Sequence, residues 1–413
     1  MIALTRSTRS VARTVAALAV AATVGSGVAT FTDSPAAAVP IGPGCPALYV
    51  LGVQGTGQSS PTADPLADTG VVGALIGPVL AAAPGLVQRS YIAYGAGFGG
   101  VVPGGGSDPY SVSVTDARNQ LDAAATEIAD ACPETMIAGV GYSQGAQAMS
   151  DFAADIGAGS GPISADRIAG IALYANPDRA PGSPVIAGRP GQIVPDPAPG
   201  TSGVAVSQVA INNPPAGGAG IAGASNFGAL TGRVADICTD GDLACSAPDR
   251  AAFLRVGAEI AAQTDLRNPI AALGTVNELL RSALGDAWST VILEDFVVGA
   301  DTVDYRPQYG LAARLVQVAD PRTSAPDGGA AAARWGEIVA TVTAHPVAVL
   351  PALAGQLAAA WGQLLGDNAD LINPAVLAHY ADTVARHNSY ATSGQLATGV
   401  AWMVALAHDI AGR

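Results

Sequence analysis

The pentapeptide Gly141-Tyr142-Ser143-Gln144-Gly145 is the strongest chemical signal in this chain. The apolar run Met136–Val140 before it reads as a strand, and Ala146–Ile156 after it reads as a helix. Strand, sharp turn and helix together make the context of a nucleophile elbow, in which small neighbours let the turn lift a serine hydroxyl above a sheet. The helix N-terminus then faces the serine and favours negative charge as it develops. A serine nucleophile needs two N–H donors for its tetrahedral oxyanion. One is expected from the backbone of Gln144. The other is expected from the loop after the first apolar run, Gln54-Gly55-Thr56-Gly57-Gln58, where Thr56 offers both an N–H and a hydroxyl.

The base and its acid must come from further along the chain. Cys238-Thr239-Asp240-Gly241-Asp242-Leu243-Ala244-Cys245 places two carboxylates on a short segment, and either can orient an imidazole by accepting its Nδ1–H. The segment does not have the ligand spacing of an EF-hand calcium loop. No metal and no organic cofactor is expected. The four histidines, His345, His379, His387 and His408, all follow this segment. The order serine, acid, histidine is that of the α/β-hydrolases.

These residues need a sheet to converge on. Short, nearly continuous apolar runs at Ala47–Val53, Ser90–Tyr94, Met136–Gly141, Ile168–Tyr174 and Arg233–Cys238 predict parallel strands buried on both faces. The clearest helix between them is Val112–Ala131, with Ala117, Leu121, Ala124, Ile128 and Ala131 on one face. The Gly-, Pro- and Ser-rich stretch Arg179–Ser225 reads as a long surface excursion, and Gly100–Ser107 as a shorter loop. From about Pro248 the chain turns helical, with candidate helices at Asp249–Gln263, Ile270–Leu284, Ala330–Thr343, Val347–Leu365, Pro374–Arg386 and Gly394–Ile410. All four tryptophans, Trp288, Trp335, Trp361 and Trp402, lie in this part. The charge-free run from Pro346 to Gly366 is long enough to span a bilayer, but Pro351, Gln356 and Gln363 favour a buried or interfacial helix.

The net charge of −14 and the absence of any lysine argue against nucleic acid as a partner, because phosphate binding needs clustered positive charge. Arg6, Arg9 and Arg13, the apolar run Val15–Val24 and the small residues Ala36-Ala37-Ala38 read as a cleavable export signal over residues 1–38. Four cysteines follow it, an even number that suggests two disulfides in an exported protein. Three pairings are possible. Cys238 and Cys245, close in the chain, are expected to pair, which leaves Cys45 with Cys132.

Three motifs resemble the cutinase family, including its actinobacterial cutinase-like members. They are Cys45-Pro46 leading through a strand to Gly55-Thr56, Cys132-Pro133 leading through a strand to Gly141–Ala146, and Cys238 through Gly241-Asp242 to Cys245. The resemblance covers about residues 45 to 247 and resumes near His387, where His387-Asn388-Ser389-Tyr390 is similar to the family's His-x-x-Tyr region. It implies an α/β-hydrolase three-layer sandwich with a mostly parallel five-stranded sheet, and disulfides Cys45–Cys132 and Cys238–Cys245. It also implies Ser143 as nucleophile, Asp242 as acid, Thr56 and Gln144 as oxyanion hole, and His387 as base, with His379 as second choice. Family members carry the base soon after the acid. The long gap here is read as a mainly helical insertion.

The expected organisation is therefore a signal at 1–38, a hydrolase core at 39–247, a helical insertion or lid at 248–384, and a return to the core at 385–413. The expected function is a secreted or envelope-located serine esterase or lipase acting on lipid or polyester-type acyl esters, with the insertion as a peripheral lipid-surface contact. Alternatives are a thioesterase, phospholipase or acyltransferase on envelope lipids, and a non-catalytic envelope protein on a hydrolase scaffold.

Overall fold

A computed structural model describes residues 38–413. The expected export signal lies outside these residues, except for its last position.

Five strands form a parallel sheet: β1 (Leu48–Val53), β2 (Val87–Tyr91), β3 (Met136–Tyr142), β4 (Ile168–Tyr174) and β5 (Val234–Ile237), in the order β2-β1-β3-β4-β5. Successive side chains of a strand point to opposite faces, and in β1 each set finds its own core. Leu48 and Val50 join α1 (Gly70–Ala82) and α11 (Gln395–Ala411), where Leu75, Trp402 and Leu406 are buried. Tyr49, Leu51 and Val53 join α2 (Tyr110–Ala131) and α3 (Gln144–Ala158), where Leu121, Ile128 and Phe152 are buried. Sheet and helix layers thus make the expected sandwich. The last helix of the chain belongs to it.

Two sequence readings shift. The strand expected at Ser90–Tyr94 forms at Val87–Tyr91 instead, and it takes the sheet edge. An edge strand tolerates polar residues on its open side. Gln88 bonds the backbone of Gly42 and Gly44, and Arg89 pairs with Asp68 at 2.8 Å. The excursion Arg179–Ser225 is not wholly superficial: Ile186, Val206 and Ile211 are core residues. Ile186 bridges to Ala235 beside β5, and Asp409 of α11 accepts from the N–H groups of Ala205 and Val206. The segment covers the sheet edge opposite β2, which would otherwise expose unpaired backbone groups.

The helical part begins with α4 (Ala252–Ala262) and α5 (Pro269–Thr290), followed by a hairpin of β6 (Phe296–Val298) and β7 (Val303–Tyr305) that the sequence reading did not anticipate. Then come α6 (Leu311–Ala319), also unanticipated, α7 (Gly328–Ala344) and α8 (Pro346–Gly366). These elements have apolar clusters of their own, one around Ile292, Phe296, Tyr305 and Ile338 and one around Val256 and Ile260. The helix expected over Pro374–Arg386 is two, α9 (Pro374–His379) and α10 (Thr383–His387). The break is used. Tyr380 donates to the carbonyl of Ser246 at 2.5 Å, and Thr383 Oγ1 accepts from Leu243 N–H at 2.7 Å. Both bonds tie this stretch to the acidic loop.

Candidate active site

Ser143 sits between β3 and α3 with φ 54° and ψ −122°, a left-handed conformation that costs a residue with a Cβ roughly 1–3 kcal/mol. Its N–H donates to Tyr174 O at 2.9 Å, which anchors the turn to β4. Gly145 is required by close approach: a Cβ there would lie 2.3 Å from the carbonyl oxygens of Val53 and Gln54. The elbow therefore rests directly on the end of β1. Gly55 also passes close to the elbow, where an added Cβ would come 2.8 Å from the Tyr142 ring and 3.2 Å from Ser143 Cβ. That contact sets the loop carrying Thr56 beside the serine, and both residues line one cleft of about 900 Å³.

Gln144 opens α3, so no earlier turn of the helix accepts its N–H. Its side chain is fully buried and donates to the carbonyls of Gly97 at 2.9 Å and Tyr110 at 3.3 Å. The backbone at this position is thereby held still.

His387, at the end of α10, places Nε2 2.8 Å from Ser143 Oγ and Nδ1 2.9 and 3.0 Å from the two oxygens of Asp242. Three stretches separated by about a hundred residues or more thus meet in one hydrogen-bonded line. Asp242 is 1% exposed. It also accepts from Ala244 N–H at 3.1 Å and from the Tyr390 hydroxyl at 2.8 Å. Burial and the neighbouring Asp242 push the Tyr390 phenol well above its ordinary range, so it remains a proton donor. Tyr390 in turn accepts from Thr239 N–H at 2.9 Å. The Tyr142 hydroxyl donates to the carbonyl of His387 at 2.7 Å, and the two rings stack with centroids 5.4 Å apart.

The other candidates fall elsewhere. Asp240 pairs with His379 at 3.3 Å, on the exposed side of the loop. His345 and His408 are exposed. Disulfides join Cys45 to Cys132 and Cys238 to Cys245. The second closes the loop that carries Asp242. The first ties the start of β1 to the end of α2. No cluster of metal-ligating side chains occurs among the described residues. Tyr390 was visible in sequence only as part of His-x-x-Tyr, and the roles of Tyr142 and Thr383 had no sequence signal, since each acts across the fold.

A doubly covered parallel sheet with a serine at the turn from its central strand into a helix defines an α/β-hydrolase. This chain belongs to the cutinase family, which it matches over residues 44–253. The carboxylesterase Culp6 homolog of Corynebacterium glutamicum is 32% identical to it over 222 residues, 49% of this chain. The match spans 66% of that relative's length, just under two thirds. Among solved structures, it is similar to the catalytic core domain of acetyl xylan esterase from Trichoderma reesei, at 20% identity and a TM-score of 0.35, covering 57% of this chain and 99% of that one. It is also similar to lysin B from mycobacteriophage D29, at 18% identity and a TM-score of 0.34, covering 57% of this chain and 88% of that one.

Proposed function

We propose that this protein is an exported serine esterase that hydrolyses carboxylic esters of hydrophobic acyl groups through an acyl-enzyme on Ser143. The observation that carries the reading is the line Ser143–His387–Asp242, closed by contacts of 2.8 and 2.9 Å. His387 takes the Ser143 proton as Oγ attacks the ester carbonyl, and Asp242 holds the imidazole in orientation and stabilises its charged form. The oxyanion is held by N–H groups of Thr56 and Gln144. The alcohol leaves with the proton from His387. Water activated by the same imidazole then releases the acid and frees the serine.

Export is supported by the composition of the N-terminus and by the two disulfides, which persist in oxidising compartments. The helical part acts as a cap. Ala258, Glu259 and Ala262 of α4, with Pro321 and Arg322 after α6, line the cleft together with Ser143. Its outer surface suits contact with lipid. The 21-residue α8 carries no charge, and only 11% of its most apolar stretch is buried. Val347 is 87% and Trp361 60% exposed.

Labelling with a fluorophosphonate tests the assignment. The wild type is expected to label at Ser143, and Ser143→Ala and His387→Gln to lose labelling while keeping the wild-type melting temperature. A folded wild type that does not label would return the chain to a non-catalytic role.

A further inference from the structure

The cleft extends well past the serine. It follows one face of α3 from Ser143 by way of Gln147 to Asp151, about 12 Å of helical rise, under the roof of α4. The flank beside His387 is apolar, with Leu243 and Val384. The far half holds the cleft's charged groups among small apolar residues such as Ala154, Ala258 and Ala262, and most of that charge is satisfied internally. Arg322 meets Asp151, Asp178 and Asp320, each at 3.0 Å.

Glu259 stands apart from this arrangement. It is 6% exposed and lines the cleft, and its Oε1 is buried without a hydrogen-bond partner among the described residues. Burial, with Asp320 and Asp178 nearby and Arg322 opposing, pushes its carboxyl up to about 8. Near neutrality it is therefore a protonated acid, able both to donate and to accept. A buried polar group without a partner is costly, and a ligand that supplies the missing bond removes that cost. A neutral carboxyl suits a hydroxyl better than a cation. Gln147, whose Oε1 is held by the Tyr110 hydroxyl at 2.8 Å, adds a fixed amide to the lining of the same cleft, from α3.

We propose that this far half is a hydroxyl-binding subsite, in which Glu259 and Gln147 hold the polyhydroxylated alcohol portion of the ester, of the glycerol or sugar type, while the acyl chain lies along Leu243 and Val384. The inference rests on the esterase reading above and names the substrate class of that same site.

The test compares glycerol monobutyrate with ethyl butyrate for the wild type, Glu259→Gln and Glu259→Leu. The wild type is expected to favour the glycerol ester in kcat/KM through a lower KM. Glu259→Leu should lower the ratio of the two kcat/KM values about tenfold, the change lying in KM, because a site built for a hydroxyl loses a matched bond. Glu259→Gln, which keeps a donor and an acceptor, should retain most of the ratio. A ratio unmoved by Leu overturns the subsite, and so does an equal fall on both esters, which would make Glu259 purely structural. A Gln variant as poor as Leu, with butyrylcholine preferred by the wild type, overturns it in favour of a cation site. Turnover of neither ester by folded wild type would instead remove the esterase reading itself.

Discussion

Replacing Asp242 by Asn separates charge from geometry at this site. Ala244 N–H already points at Oδ1, so an amide oxygen is favoured there, where it still accepts Nδ1–H of His387. The amide nitrogen then occupies the Oδ2 position and faces the Tyr390 hydroxyl, which accepts one bond from Thr239 and has a second lone pair to offer. The imidazole keeps its place, but the negative charge beside it is lost and the amide nitrogen, in the Oδ2 position 3.0 Å from Nδ1, sets a donor against that N–H and so also disfavours the productive tautomer. The pair is shielded, with Asp242 1% and the His387 side chain 25% exposed. Unit charges about 4 Å apart at an effective dielectric near 20 attract by about 4 kcal/mol. That attraction develops as the imidazole charges in the transition state, so kcat should fall by about three powers of ten. Initial rates on a soluble short-chain p-nitrophenyl ester measure the loss, and thermal unfolding checks that the fold is kept. Asp240→Asn is the control, since Asp240 faces His379, and it should stay near wild type. An Asp242→Asn enzyme that retains more than about a tenth of kcat, or a loss that follows Asp240 instead, would refute the reasoning.

The two disulfides should differ in what they protect. Loops spanning 87 and 7 positions correspond to about 4–5 and about 2–3 kcal/mol of chain entropy at 25 °C, so urea unfolding should show the larger loss on replacing Cys45 and Cys132 by Ala. Replacing Cys238 and Cys245 should cost more activity, because that loop carries Asp242. Burial raises the Asp236 carboxyl to about 7, and its Oδ1 has no partner among the described residues. The folded state therefore keeps a proton that the unfolded chain releases above about pH 4, and stability should fall as pH rises through 7. Asp236→Asn should remove up to about 3 kcal/mol of the difference between pH 5 and pH 8, measured by urea unfolding at both values. Val347→Ser with Trp361→Ser should weaken flotation with phosphatidylcholine vesicles about tenfold or more, with little dependence on salt, as expected for apolar rather than charged contact.

Much of the hydrolase core was legible in the sequence because its signals are local. A glycine-flanked serine between an apolar strand and a helix specifies its own turn, and Gly145 is required because a Cβ there would lie 2.3 Å from the carbonyl oxygens of Val53 and Gln54. The strands β1, β3, β4 and β5 were readable because burial on both faces leaves nearly unbroken apolar runs. At β2 the edge position admitted Gln88 and Arg89, and the same rule misplaced it. Paired cysteines and an acidic loop were likewise visible as short patterns.

What only the tertiary structure decided is which distant groups meet. The loop offers two carboxylates and the chain four histidines, and local chemistry treats them alike. Packing separates them: α10 docks through Thr383 onto Leu243, Tyr390 enters the core beneath Asp242, and His387 falls into line while His379 is left with Asp240. The same holds for Glu259, an ordinary residue of an amphipathic helix until α4 folds over the cleft and leaves its carboxyl buried beside Asp320 and Asp178. Such pairings depend on closing loops of a hundred residues or more. Closure entropy grows only slowly with loop length, so the chain alone carries little signal of where its ends will meet.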